Sequence, residues 1–197
     1  MPWPDPITLR GQHARLEPLS KEHREGLVEA VKDGDLSTIW YTAIPSPENM
    51  AKEIDRRLGL QAAGAMLPFT VFDAAGKIVG QTTYMNIDAA NRRVEIGSTW
   101  YAKRVQRSAL NTQCKRLLLA HAFEVMDCIA VEFRTHFFNH QSRRAIERLG
   151  AKQDGILRSH QIAPNGTLRD TVVYSIIAAE WPTVRAHLDY QLHDKPR

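Results

Sequence analysis

Near Leu67 the hydrophobic period of the chain switches from helical to alternating, and three strand-like segments come in close order. Phe69–Asp73 reads as a strand, Ala74-Ala75-Gly76 as a turn, Ile78–Met85 as a second strand and Val94–Tyr101 as a third. Connections this short join antiparallel neighbours, so the segment is an antiparallel meander. Strict alternation in the third strand puts Val94, Ile96, Ser98 and Trp100 on one face and Glu95, Gly97 and Thr99 on the other.

The elements after the meander narrow the architecture. A helical pattern from Ala109 to Met126 carries Leu110, Cys114, Leu117, Leu118, His121, Ala122 and Val125 along one stripe. The β-branched and aromatic run Ile129–Thr135 is the next strand, and a crossover through a helix makes it a parallel neighbour of the third meander strand. A shorter helix over His140–Leu149 stops at Gly150. Gly155–Ile162 and Thr171–Ile177 form a hairpin across Pro164-Asn165-Gly166. Glu180–Leu192 closes the chain as a helix with Trp181, Val184 and Leu188 facing inward.

Upstream, Ile7–Arg10 and Ala14–Glu17 are short strand pieces around Gly11. Ser20 is placed to cap a helix bearing Leu27, Val28 and Val31, which ends near Gly34. Ser46 and Pro47 open a second, with Met50, Ile54 and Leu58 on one face. No repeat or linker interrupts residues 1–197, which read as one domain, long enough to bury about 70% of its unfolded surface.

Composition excludes more than it assigns. The formal charge is +4, and the basic residues are scattered rather than gathered into a polybasic block, so no nucleic-acid partner is expected. A phosphate-bearing ligand fits the same charge. Cys114 and Cys128 are too few and too far apart for a disulfide framework or a zinc site, and no metal is expected. The start, Met1-Pro-Trp-Pro-Asp-Pro, is stiff and polar rather than a leader, and no apolar run approaches the roughly 20 residues of a membrane span. The expectation is a cytoplasmic protein with reduced thiols. A homodimer is among the states allowed.

Four segments, in order and at matching spacing, resemble one family: Arg93–Tyr101 (RVEIGSTWY), Gln106–Lys115 (QRSALNTQCK) with Leu117–Glu124 (LLLAHAFE), Asn139–Ala151 (NHQSRRAIERLGA) and Glu180–Val184 (EWPTV). The chain resembles the GCN5-related N-acetyltransferase (GNAT) superfamily, and within it the branch of ribosomal-protein N-terminal acetyltransferases (RimJ/RimL-like), over residues 8–192. The resemblance implies an α+β fold with a mixed, mostly antiparallel central sheet, helices on both faces and a splayed parallel strand pair. It also implies acetyl-CoA as the donor and an amine as the acceptor, in this branch a protein or peptide N-terminus.

In that family, Gln or Arg followed by x-x-Gly-x-Gly or Ala leads into the long helix, and its backbone N–H groups grip the pyrophosphate. The matching stretch here is Gln106, Arg107, Ser108, Ala109, Leu110 and Asn111, followed by Thr112. A helix start presents unpaired N–H donors and a positive dipole end, which suits an anion. Ala109 stands where the first glycine is expected and Asn111 where the last one is; alanine there would be strained if the native φ were positive. Lys103, Arg104 and Arg107 surround the loop and can add charge. Read without the resemblance, the stretch is an ordinary helix start with Ser108 as N-cap.

Acyl transfer needs a neutral amine. Deprotonating an α-amine of pKa near 8 at pH 7 costs about 1 kcal/mol, against about 4.6 for a lysine. By resemblance Glu95 is the general base, while read alone it is a solvated strand carboxylate paired with Arg93 or a neighbour; His136 and His121 are weaker candidates, His121 sitting on an apolar stripe where a core histidine is the ordinary reading. A backbone N–H near Gly97-Ser98-Thr99, helped by a bulge at Gly97, would face the thioester oxygen. By resemblance Ser142 takes the place near the sulfur that other members give to a tyrosine, although a small residue packed in the first helical turn reads the same, and Asn139 corresponds to the asparagine that contacts the cofactor arm while also suiting an N-cap. Trp40, Tyr41, Met66, Tyr84 and the Arg158–Arg169 hairpin are candidate walls of the acceptor pocket. A small-molecule amine acceptor, a non-catalytic coenzyme A-binding domain and a nucleic-acid module stay open as alternatives.

Overall fold

A computed structural model describes residues 3–193, leaving Met1 and Pro2 of the polar start outside the described residues. The strands are β1 (Leu9–Arg10), β2 (Ala14–Pro18), β3 (Met66–Asp73), β4 (Ile78–Asp88), β5 (Arg93–Tyr101), β6 (Ala130–His136), β7 (Lys152–Ile162) and β8 (Leu168–Ile177). They form one sheet in the order β1-β2-β3-β4-β5-β6-β8-β7. Every pairing is antiparallel except β5 with β6, which the helical crossover makes parallel. The final hairpin inserts its second strand, β8, next to β6 and leaves β7 at the edge.

Two irregularities in β5 create the site. Its parallel register with β6 runs only through Arg93↔Ala130, Val94↔Val131 and Glu95↔Glu132; beyond that the strands part. Against β4 the register slips, because Gln81 pairs with Trp100 and Thr83 with Gly97, so Thr82 faces both Ser98 and Thr99. Ser98 takes the left-handed conformation, φ 47°, that a bulge requires. The expected bulge at Gly97 therefore lies one residue further on. It also overturns the strict alternation expected for this strand. Val94 and Ile96 share a face with Tyr84, whereas Trp100 moves across to the face of Glu95 and Gly97, and Thr99 takes its place.

Helices cover both faces, since each face of the sheet is apolar and must be buried. On one side lie α1 (Arg24–Lys32) and α2 (Met50–Ala62). Ser20 caps a single 3-10 turn that leads into α1, with His23 completing a capping box. The second helix starts at Met50, later than Ser46-Pro47 suggested, because Pro47 to Asn49 close 3-10-type bonds first. Buried Arg57 of α2 donates to Glu53 at 2.7 Å and to Thr83 of β4 at 2.8 Å, fixing this layer to the sheet.

On the other side lie α3 (Leu110–Ala120) and α5 (Trp181–His193), joined by Arg116 to Asp189 at 2.7 Å and by the Arg116 guanidinium over the Trp181 ring. The helical run to Met126 is not uniform: after Ala120 it widens into a π turn over His121–Val125, closed by the Met126 N–H on the His121 carbonyl. At this widening the Tyr84 hydroxyl donates to the Leu118 carbonyl at 2.5 Å. The wider turn buries His121 and Ala122 but turns Val125, expected on the apolar stripe, out to solvent. Met66 and Tyr84, expected in the pocket wall, are core residues.

Removing the Tyr84 hydroxyl takes a buried bond from the α3 carbonyl row. Tyr84→Phe should lower the unfolding free energy by about 1–2 kcal/mol, a fall in Tm of about 2–8 °C for a chain of this size, read by thermal denaturation.

Candidate active site

Where β5 and β6 part, a cleft of about 950 Å³ opens, lined by both strands, the start of α3, and α4 (His140–Glu147). Glu95 sits at its inner end, 4% exposed. Its side chain accepts from Asn86 Nδ2 at 2.6 Å and lies 3.6 Å from Arg134 Nε. Burial pushes its carboxyl from 4.5 up to about 7, opposed by Asn86 and Arg134 and assisted by the charge of Glu132. Arg93 pairs with Glu132 instead, so Glu95 is a cleft carboxylate rather than a solvated strand residue. Gly97 makes room for it: a Cβ there would stand 2.7 Å from both Glu95 Oε1 and Met85 Sδ.

At the outer end the chain bends through Arg107, φ 61°, into α3. Ala109 has φ −68° and ψ −14°, ordinary right-handed values, so its methyl group causes no strain where a glycine was expected. Ser108 Oγ lies 3.3 Å from the Leu110 amide and itself donates to the Val105 carbonyl. The amides of Ser108, Ala109, Asn111 and Thr112 have no protein acceptor among the described residues, which leaves a row of donors at a helix start. Gln106, Arg107, Ser108 and Asn111 line the cleft. Ala109, Leu110 and Thr112 line an adjoining cavity of about 1130 Å³, with the Leu110 side chain in the core and Thr112 Oγ1 accepting from Arg148. Arg104 is committed to Asp73 at 2.9 Å.

Between these ends, Asn139 caps α4 by accepting the Ser142 amide at 3.0 Å. Both residues line the cleft, and Ile146 and Leu149 anchor the helix in the core. Arg143 lies over the Phe137 ring and donates to the Tyr174 hydroxyl, which donates to Glu147, so α4 is held against β8. At the remaining wall, Tyr41, His136, His160 and Arg169 converge. His136 is 4% exposed, boxed by the rings of Trp40, Tyr41 and Phe138, and burial followed by the charge of Arg169 holds its pKa below 6.5. His121 is elsewhere, in the core beside Tyr84.

The acetyltransferase (GNAT) domain model matches residues 13–152. This chain belongs to the GNAT acetyltransferase family. Among solved structures, a GCN5-related N-acetyltransferase from Brucella melitensis superposes with a TM-score of 0.86 at 31% identity, covering 98% of this chain and 88% of that one. Mycobacterium smegmatis RimJ, in complex with CoA-disulfide, gives 0.78 at 24% identity over 96% and 95%, a likeness of fold. The Bacillus subtilis (strain 168) protein named "putative ribosomal N-acetyltransferase YdaF" is 33% identical over 106 residues, 54% of this chain. That match spans 57% of the relative's length. The donor of the GNAT family is acetyl-CoA, and the free amides at the α3 start and the parted strands fit such a molecule. Among the described residues no helix is long and apolar enough to cross a membrane, and no cluster of metal-binding side chains is found.

One residue of this GNAT cleft escaped sequence reasoning, and another was placed only through its hairpin. Lys115, given no role in the sequence beyond ending a family-like segment, is 5% exposed and donates to Thr99 Oγ1 at 2.7 Å and Thr82 Oγ1 at 3.1 Å, pinning the bulge of β5 to α3. Its position one residue after Cys114 on the apolar stripe hinted at burial, but its polar partners come from distant strands. Arg169, in the hairpin expected to wall the acceptor pocket, enters the cleft because β8 lies beside β6.

Burial draws the Lys115 amine from 10.5 down to about 8. Between these values the folded chain loses a proton that the unfolded chain keeps, so this group makes stability rise with pH in that window, by up to about 3 kcal/mol. Lys115→Met should abolish that rise: the difference in unfolding free energy between native and variant protein, from urea titrations at pH 7.5 and pH 10.5, should shift toward the native protein at the higher pH.

Proposed function

We propose that this GNAT domain transfers an acetyl group from acetyl-CoA to a primary amine, the α-amine of a protein or peptide N-terminus, with Glu95 as general base. The observation that carries this reading is a buried carboxylate of pKa about 7 in the same cleft that ends at the free amides of α3. A carboxylate in that range takes a proton from an α-ammonium of pKa near 8 at little cost, whereas a lysine side chain asks for several kcal/mol more. Similarity to the relative named as a ribosomal N-acetyltransferase supports a protein acceptor, and the lower cost of deprotonating an α-amine favours its N-terminus.

Each residue has a task. The free amides of Ser108, Ala109, Asn111 and Thr112, with Arg107, would hold the pyrophosphate; acetyl-CoA when bound supplies the activated acetyl thioester. Gln106 donates to the Tyr101 carbonyl at 2.9 Å and so fixes the turn between β5 and α3. The unstrained Ala109 supports retained donor binding. The stretch Gly97–Thr99, bent at Ser98, offers a backbone N–H for the carbonyl oxygen as it gains charge. Glu95 would accept the amine proton as the nitrogen bonds to the acetyl carbon, Asn139 would steady the donor's arm, and the Ser142 hydroxyl would hydrogen-bond to the sulfur as the C–S bond breaks; a thiol of pKa near 8.5 leaves readily as its thiolate.

For native protein kcat/KM should rise with pH through about 7. Glu95→Gln should remove that limb, leaving the amine's own near pH 8, and lower the plateau by about 10²-fold or more, with unchanged coenzyme A affinity; an unaltered profile removes Glu95 as base. Separately, Ala109→Trp should weaken coenzyme A binding by at least about tenfold in calorimetry while Ala109→Gly leaves it within about twofold. Equal affinity for all three proteins would place the phosphates elsewhere.

A further inference from the structure

We propose that Arg169, assisted by His136, forms an anion subsite at the acceptor end of the cleft, so that the preferred acceptor amine also carries a carboxylate. The inference rests on the acetyl-transfer reading above and names the acceptor's chemistry.

Arg169 is half-buried, and among the described residues its one side-chain hydrogen bond runs from Nε to Thr171 Oγ1 at 3.2 Å. Its sequence neighbour Asp170 is the obvious partner but is fully engaged: a bulge at Ser159, φ 47°, turns β7 so that Asp170 accepts from Arg158 Nε at 2.5 Å and from the Ser159 amide at 2.7 Å. Among the described residues no carboxylate lies within ion-pair distance of Arg169. An unpaired guanidinium in a cleft wall keeps its charge and presents a planar pair of donors, matched to a carboxylate. Surface arginines elsewhere on the chain, such as Arg104, Arg116 and Arg158, are paired.

His136 supplies the second donor. It lies directly across from Thr171 in the β6–β8 register, two residues from Arg169 on the same face. Its Nδ1 accepts the Phe138 amide at 3.1 Å, so the neutral ring carries its proton on Nε2. That nitrogen is buried without a partner among the described residues. A buried donor without an acceptor is costly, and a ligand oxygen removes the cost. The Trp40, Tyr41 and Phe138 rings hold the imidazole in place, Trp40 and Phe138 being 52% and 57% exposed. Glu95 lines the same cleft, so an acceptor with an ammonium toward Glu95 and an anion toward Arg169 is complementary at both ends.

Two sources share this chemistry, an acidic first residue of a peptide and the carboxylate of a free amino acid, and matched pairs separate them. Calorimetry at pH 7 on coenzyme A-loaded protein would compare a tetrapeptide amide beginning with Asp against one beginning with Asn, and L-alanine against L-alaninamide. The carboxylate member of one pair should bind at least about tenfold more tightly. Arg169→Gln should erase that preference and Arg169→Lys should keep part of it, both with native thermal midpoints and coenzyme A affinity. Equal binding within both pairs, no binding by any of the four, or a preference that survives Arg169→Gln overturns the subsite. Thiol release from acetyl-CoA, followed with the same acceptors, reports separately on acetyl transfer: turnover without a carboxylate preference leaves that reading standing and removes only the subsite.

Discussion

Parallel pairing between β5 and β6 lasts for three residue pairs, and the rest of the site depends on where it stops. A βαβ unit with strands in full register would bury Glu95 between two paired neighbours and leave no cleft. Because pairing ends at Glu95 and Glu132, the carboxylate stands at the inner edge of a gap, shielded enough to be raised to about 7 yet open to a ligand. The bulge at Ser98 makes the parting possible by bending β5 away while β4 remains paired on its other side.

Holding the bulge open takes a polar network inside an otherwise apolar layer. Lys115, Thr82 and Thr99 share their hydrogen bonds beneath it, and Arg57 with Thr83 does the same on the opposite face. Buried charges of this kind rarely add stability over apolar residues of similar volume. Their use here is positional, since they tie α3 and α2 to the two strands that carry the cleft. The raised carboxyl of Glu95 and the depressed amine of Lys115 show the same expense on both sides of the sheet: each charged form is disfavoured by burial.

Much of the fold was legible because its elements are locally encoded. Period-2 runs marked β3, β4 and β5, a long stripe marked α3, and Asn165-Gly166 marked the hairpin turn. The failures came where a distant partner overrode local pattern. Alternation in β5 failed because a bulge adds one residue, and a bulge without glycine has no sharp sequence signal; Ser98 itself takes the positive φ. The α3 stripe failed at Val125 because the helix widens beside the Tyr84 hydroxyl. Ala109, suspect by comparison with glycine, is unstrained, because Arg107 absorbs the left-handed turn two residues earlier.

By itself the sequence determined the succession of strands and helices, the crossover that makes one strand pair parallel, and the stretch from Gln106 to Thr112 where a helix begins. These arise from near-neighbour preferences and periodicity, which any short window contains. Only the tertiary structure decided that Glu95 is buried rather than solvated, that Lys115 is buried, and that Arg169 and His136 meet across β8 and β6. Those outcomes turn on register and strand order, and both are set by packing among segments far apart in the chain, where no local pattern can specify them.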